Sequence, residues 1–327
     1  MMKNLTVTMA VLMLSMSVFA HKKDPEYLKA RRDGGDARIV LSIIGDEGLP
    51  VSNAIVRVLM GMNFRERAYY INGVTGANGE FVIEGTTTGN EIEIDVTKDG
   101  YYRTSDKLCF IAMGHEHDVK DGKWQPWSME IQLKLRAIRN PIALVGDVNG
   151  YYVPETNKWI GFDMNQADWM LPGYKGRTSD FEVFLEWDGL PSRDSKLLKL
   201  HFKTVEPKGG FYYADLARES SFHGVYNAST NEVLQQEFAC QTAKDGGRIE
   251  KEGLPRSKLL VLRSRCICDQ EGKLKSANYS IINWIAVEGS RKGKGEMQLS
   301  YSFNPTPNDT NLEDMKTYKE SELRMGR

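Results

Sequence analysis

Glu91-Ile92-Glu93-Ile94-Asp95-Val96 alternates an acidic with an aliphatic residue along its whole length. Successive side chains of an extended strand point to opposite faces, so this stretch has one wet face and one apolar face, as a half-buried strand requires. The same two-residue period returns in Met129, Ile131, Leu133 and Leu135, interleaved with Glu130, Gln132, Lys134 and Arg136. Ala37–Ile44, Ala54–Met60 and Phe81–Glu84 read as further short strands. Gly45-Asp46-Glu47-Gly48, Asn78-Gly79 and Asp99-Gly100 supply the turns between them. Short strands at this spacing, with no helical period between them, predict an antiparallel β-sandwich over residues 37–138.

The rest of the chain carries the same signature. Phe181, Val183, Leu185 and Trp187 share one face of a strand, and Met297, Leu299, Tyr301 and Phe303 share another. Lys258–Ile267 and Asn278–Glu288 flank Asp269-Gln270-Glu271-Gly272, the pattern of a hairpin, and Lys196–Thr204 reads as one more strand. Asn140-Pro141 marks the boundary. The expected architecture is all-β, with two β-sandwich domains at 37–138 and 142–305. A charged, polar and mobile tail is expected at 306–327, after Asn304-Pro305-Thr306-Pro307. No repeated motif links the two halves.

Three segments in order carry a family resemblance. Gly48-Leu49-Pro50-Val51-Ser52-Asn53-Ala54-Ile55-Val56 is similar to the segment that opens carboxypeptidase-regulatory-like (transthyretin-like) domains. Thr75-Gly76-Ala77-Asn78-Gly79-Glu80-Phe81 resembles the hairpin that follows it, and Asp99-Gly100-Tyr101 resembles the end of the next strand. Gly76 departs from the pattern, where the family usually has Asp. The resemblance covers about a third of the chain and implies an Ig/prealbumin-like sandwich that stabilises or spaces, without catalytic residues of its own. A fold-level likeness of this kind assigns no activity. The second domain resembles only exported bacterial proteins that pair such a module with a β-rich domain.

The first twenty residues have the form of a signal peptide. Lys3 is followed by an apolar run from Val7 to Val18, and Val18-Phe19-Ala20 places small residues before His21. That run is shorter than the about 20 residues that span a bilayer. The mature chain is therefore expected to be secreted or periplasmic, with no transmembrane segment after cleavage. The 43 basic and 44 acidic residues of the full sequence are nearly balanced, which argues against nucleic acid as a partner. The four cysteines are Cys109, Cys240, Cys266 and Cys268. In an oxidising compartment the preferred pairing is Cys240 with Cys266 or Cys268, and the rival reading keeps all four reduced.

The densest cluster of chemistry-bearing residues runs from Trp159 to Asp180. Trp159, Asp163, Asp168 and Trp169, followed by Lys175-Gly176-Arg177, suggest a carbohydrate-recognition surface, in which ring faces stack on sugars and acids accept from hydroxyls. Such an oxygen-rich loop also suits calcium, which takes six to eight oxygen ligands. The plainer reading makes Asp163 and Asp180 turn caps and places the tryptophans in the core. Glu182 and Glu186 lie four residues apart, about 13 Å along a strand. That exceeds the roughly 5 to 9.5 Å between the carboxyls of glycosidases.

His115-Glu116-His117-Asp118 resembles a metal tract without the companions a zinc site needs. Ser220-Ser221-Phe222-His223 sets a hydroxyl near an imidazole, and Cys266-Ile267-Cys268 lacks the C-x-x-C redox spacing. No nucleophile elbow, phosphate-binding loop or dinucleotide fingerprint occurs. The expectation is thus an exported, non-enzymatic β-protein that binds a glycan or an envelope protein, with no catalytic residue, no resident metal and no obligatory cofactor. The alternatives are a secreted polysaccharide hydrolase using carboxylates of the second domain, or a purely structural envelope subunit.

Overall fold

The computed structural model describes residues 24–61, 68–89, 91–110, 119–187, 197–245, 248–289, 294–317 and 319. The expected signal peptide and the 115–118 tract lie outside the described residues. Helix α1 (Pro25–Asp33) precedes the first strand, and the Asp24 side chain caps it by accepting from the Glu26 N–H at 2.9 Å.

The first sandwich comprises β1 (Gly35–Ile44), β2 (Ile55–Met60), β3 (Tyr69–Val74), β4 (Glu80–Thr87), β5 (Glu91–Thr97), β6 (Thr104–Cys109), β7 (Val119–Lys120), β8 (Lys123–Trp124) and β9 (Met129–Lys134). One sheet runs β4-β1-β8-β7, with β9 parallel to β1; the other runs β3-β2-β5-β6. The alternation that opened the reading is realised in β5, whose Ile92, Ile94 and Val96 are buried beside Val56, Val58 and Ile39. At Gly79 the chain takes φ 76°, and a Cβ there would stand 2.6 Å from the Ile43 carbonyl oxygen. Only glycine meets both conditions.

The second sandwich comprises β10 (Val145–Tyr152), β11 (Ile160–Asp163), β12 (Asp168–Trp169), β13 (Phe181–Trp187), β14 (Leu197–Lys203), β15 (Gly210–Asp215), β16 (Glu237–Asp245), β17 (Arg248–Glu252), β18 (Lys258–Cys268), β19 (Leu274–Gly289) and β20 (Gly295–Asn304). Its sheets run β10-β20-β19-β18-β15 and β12-β11-β13-β14-β16-β17. Phe181, Val183 and Leu185 from one sheet meet Met297, Leu299, Tyr301 and Phe303 from the other in a single core. The chain is thus all-β, built of two sandwiches, as its period-two pattern implies.

The two sandwiches are joined by a docked loop. After β15 the chain crosses to the first sandwich, where Ser220 bridges Thr104 in antiparallel fashion. The Ser105 N–H donates to the Glu219 carbonyl at 2.7 Å, and the Ser221 N–H to the Arg103 carbonyl at 2.8 Å. Arg136 donates to the carbonyls of Phe222 and Gly224, and its guanidinium lies over the rings of Phe222 and Tyr226. The Tyr226 hydroxyl reaches the Ala137 carbonyl at 2.6 Å and Asp46 at 2.9 Å.

The C-terminal segment completes this joint and corrects the expectation of a mobile tail from residue 306. Leu312 is buried among Val261, Tyr279 and Ile281. The neighbouring Glu313, 1 % exposed, accepts from the Tyr102 hydroxyl and from the N–H groups of Arg139 and Asn140 at 2.7–2.9 Å. Its polarity, which suggested a solvated tail, instead satisfies three donors at the seam between the sandwiches.

Candidate functional site

The four residues expected to form a glycan surface do not form one. Asp163 ends β11 and is 1 % exposed. Its carboxylate accepts from the N–H groups of Asn165, Gln166, Arg177 and Thr178, and from the Arg265 guanidinium at 2.8 Å. Trp169 is 2 % exposed and packs edge-on against Phe162 in the core. Asp168 accepts from the Trp169 and Lys175 N–H groups and so shapes the same turn. Trp159 alone keeps an accessible face, and Lys203 Nζ covers it at 4.0 Å from the ring centroid. The dense motif is therefore a turn folded inward, held by its own backbone.

Calcium finds no place there either. The Asp163 oxygens are committed as described, and Asp180 accepts from the Met164 N–H, the Ser264 hydroxyl and Arg265. Among the described residues no group of three or more His, Cys, Asp or Glu is arranged to hold a metal. Arg265 occupies the centre at φ 52°, on an irregular stretch of β18 between Ser264 and Ile267. Burial alone would raise the Asp163 carboxyl. The N–H groups of Arg177 and Thr178, with the Arg265 charge, outweigh it and hold the carboxyl below its ordinary 3.8.

Glu206 sits beside this cluster with the opposite bias. Burial, then the nearby Asp180 charge, raise its carboxyl above the ordinary 4.5, although the N–H groups of Glu206 and Arg265 oppose them. Its Oε2 is buried with no hydrogen-bond partner among the described residues. A raised folded value gives stability that is complete below the unfolded pKa and is lost as pH rises through the folded one. Glu206→Gln, which stays neutral, is expected to melt above the parent at pH 8 and to match it near pH 4. Calorimetry across that range checks this, and a gap that widens toward acid would contradict it.

The remaining sequence candidates are structural. Glu182 pairs with Lys203 and Glu186 with His201, both at 3.0 Å, as cross-strand partners on the outer face of the β13–β14 ladder. Both carboxylates are thus committed to ion pairs on a sheet face, which counts against their use in the hydrolase reading. The expected bridge from Cys240 to Cys266 or Cys268 is absent, and all four thiols are free. Cys240 faces the core from β16, opposite Leu200, and burial pushes its thiol up to about 12. Cys266 lies on the other sheet near Glu206, where burial and that carboxylate push it up to about 11.

The chemistry that faces solvent lies elsewhere, in a cleft of about 650 Å³ where β17 turns into β18 and passes β19. Leu216, Leu254 and Ile285 contribute apolar surface, and Trp284 stands at its side 45 % exposed. Four cations surround it, Arg218, Lys251, Arg256 and Lys258, against one acid, Glu252. Lys251 pairs with Glu288 and Lys258 with Asp215. Glu252 accepts from Gln241. Arg218 and Arg256 have no ion-pair partner among the described residues. A second cavity of about 630 Å³ lies at the seam of the sandwiches, lined by Arg103, Ser105, Lys107, Glu219 and again Arg218. Four acids line it, and two of them, Glu93 and Asp95, are bound to Lys107 and Arg103, beside Asp106 and Glu219. An apolar floor, an open indole face and two unpaired guanidinium forks suit a ligand that has a planar face and an anionic group.

No protein-family model matches the chain. No curated protein matches it either. Solved structures match a part of it. The 3-chlorocatechol 1,2-dioxygenase of Rhodococcus opacus 1CP is 13% identical over 32% of this chain and 60% of its own, with a TM-score of 0.25. The catechol 1,2-dioxygenase of Acinetobacter radioresistens is 14% identical over 34% and 54%, with a TM-score of 0.26. The dioxygenase domain of a dioxygenase carbohydrate-binding protein fusion from Streptomyces sp. SirexAA-E is 15% identical over 32% and 79%, with a TM-score of 0.22.

The chain thus spans little more than half the length of the first two. The expectation of a non-enzymatic β-protein that binds a glycan or protein partner is corrected at the site it relied on: Asp163 and Trp169 lie in the core, Asp168 serves its own turn, and Lys203 covers the Trp159 ring. An overlap of this size carries no dioxygenase activity to the chain.

Proposed function

We propose that the second sandwich takes an organic anion with a planar apolar face in the cleft at Arg218, Arg256 and Trp284. The observation that supports this reading is the local charge. Among the described lining residues, Arg218 and Arg256 stand without an ion-pair partner around an apolar floor, in a chain whose net charge is only −1. A guanidinium presents its donors in a fixed fork that fits a carboxylate or phosphate, and an indole face accepts a flat ring. In this reading the first sandwich is the carboxypeptidase-regulatory-like scaffold, and the protein works in the secreted or periplasmic compartment after loss of residues 1–20.

Phenyl phosphate, which joins a flat ring to a dianion, is the simplest probe. Titration calorimetry is expected to show binding in the parent. Arg256→Ala should weaken it about tenfold, the size expected for loss of a hydrogen bond to a charged group. Trp284→Ala should weaken it less, by about fivefold, as the ring contact is lost. Equal affinity in the parent and in Arg256→Ala would remove this reading.

A further inference from the structure

Arg218 is the cleft cation whose position depends most on the rest of the molecule. Its loop closes on itself on both sides of it. The Ala217 N–H donates to the His223 carbonyl at 3.1 Å, and His223 Nδ1 meets the Ala217 carbonyl at 2.8 Å. A carbonyl only accepts, so that ring nitrogen carries the hydrogen. One residue after Arg218, the chain becomes a bridge on β6, through Glu219 and Ser221. Arg136 then grips the far end of the loop at Phe222 and Gly224. The fixed points that follow Arg218, at β6 and at Arg136, belong to the first sandwich, and before it the Leu216 N–H donates to the Ser257 carbonyl of the second at 2.9 Å.

We propose that the first sandwich is part of the ligand apparatus, with Arg136 acting as a positioning residue that sets Arg218 in the cleft through the docked loop. The inference rests on the cleft reading above. In energetic terms, each backbone group that anchors the loop removes conformations in which the Arg218 fork would swing into solvent. A ligand then meets a fork already ordered and does not have to order it on binding. Arg218 also lines the cavity at the seam, so it borders both the cleft and the domain boundary. Loosening the joint would therefore weaken the cleft through its loop side, while the lining residues on β17, β18 and β19 keep their places.

The test uses the full chain with Arg136→Met and Tyr226→Phe, each with and without Arg218→Ala. Tyr226→Phe removes only a hydroxyl, so it carries the test if Arg136→Met fails to fold. Amide hydrogen exchange over residues 216–226 is expected to quicken about tenfold in both variants, the mark of cheaper local opening. Phenyl phosphate affinity is expected to fall about fivefold while Arg218 is present and to stay unchanged in the Arg218→Ala background, the signature of coupling in a double-mutant cycle. Unchanged exchange overturns the proposal whatever the ligand does. Equal affinity losses in both backgrounds also overturn it, since general loosening would act without Arg218. If the parent fails to bind phenyl phosphate, the cleft reading falls, and exchange alone still decides whether Arg136 holds the loop.

Discussion

Replacing Arg265 with alanine is expected to lower the unfolding free energy by about 3–5 kcal/mol, the range found when one partner of a buried ion pair is removed. Asp163 and Asp180 are 1 % and 0 % exposed and share this single guanidinium. Without it two carboxylates remain in the core, close enough to repel each other. The loss should fall toward the lower end for Asp163, which keeps four backbone donors, and Asp180 keeps only Met164 and Ser264.

The pH dependence follows from the direction already given. Asp163 is held below its ordinary 3.8 in the fold, so the stability it contributes is present above that value and is lost as pH falls through the lower folded one. The difference between parent and variant should therefore be full at pH 7 and shrink in strong acid. Urea denaturation at both pH values measures this. A variant as stable as the parent at pH 7 would show that the cluster adds nothing.

Glu313→Ala is expected to cost about 3 kcal/mol or more, because hydrogen bonds to a charged group are worth about 1.5–3 kcal/mol each and three donors lose their acceptor. The Tyr102 hydroxyl is the most exposed to this change, since its side chain is fully buried and no water replaces the carboxylate without opening the seam. Burial, then Glu313, already hold that hydroxyl far above its ordinary 10.0. The N–H groups of Arg139 and Asn140 are left on the connection between the sandwiches. Two unfolding transitions in place of one, with the first sandwich separating from the second, is the expected calorimetric result. A single transition at the parent temperature would refute it.

The period-two pattern made the fold legible because each strand needs only its own residues to declare a wet and a dry face. Ile92, Ile94 and Val96 face inward as their acidic neighbours imply, and so do Met297, Leu299, Tyr301 and Phe303. The cleft was not legible, because it is assembled from three separate segments that meet only through the pairing of β15, β18 and β19. Trp284 offered the one local signal, an aromatic between Ile282 and Ile285, and a register shift between Ile282 and Trp284 turns it outward. The segment from Trp159 to Asp180 misled for the opposite reason. Carboxylates close together in sequence can serve their own backbone, and Asp163 binds four N–H groups within fifteen residues of itself. Ser220-Ser221-Phe222-His223, whose hydroxyl and imidazole drew attention, is the docked loop of the joint.

The contact between Tyr102 and Glu313 also fixes an order of events during synthesis. It joins residues 211 positions apart. Domains tend to fold as units from the N-terminus as the chain emerges. The strands of the first sandwich are complete by Lys134, yet its buried tyrosine lacks this acceptor until the chain has passed β20 and reached Glu313. The early domain must therefore persist with an unfinished flank, and the segment after β20 closes the seam once both sandwiches have been made.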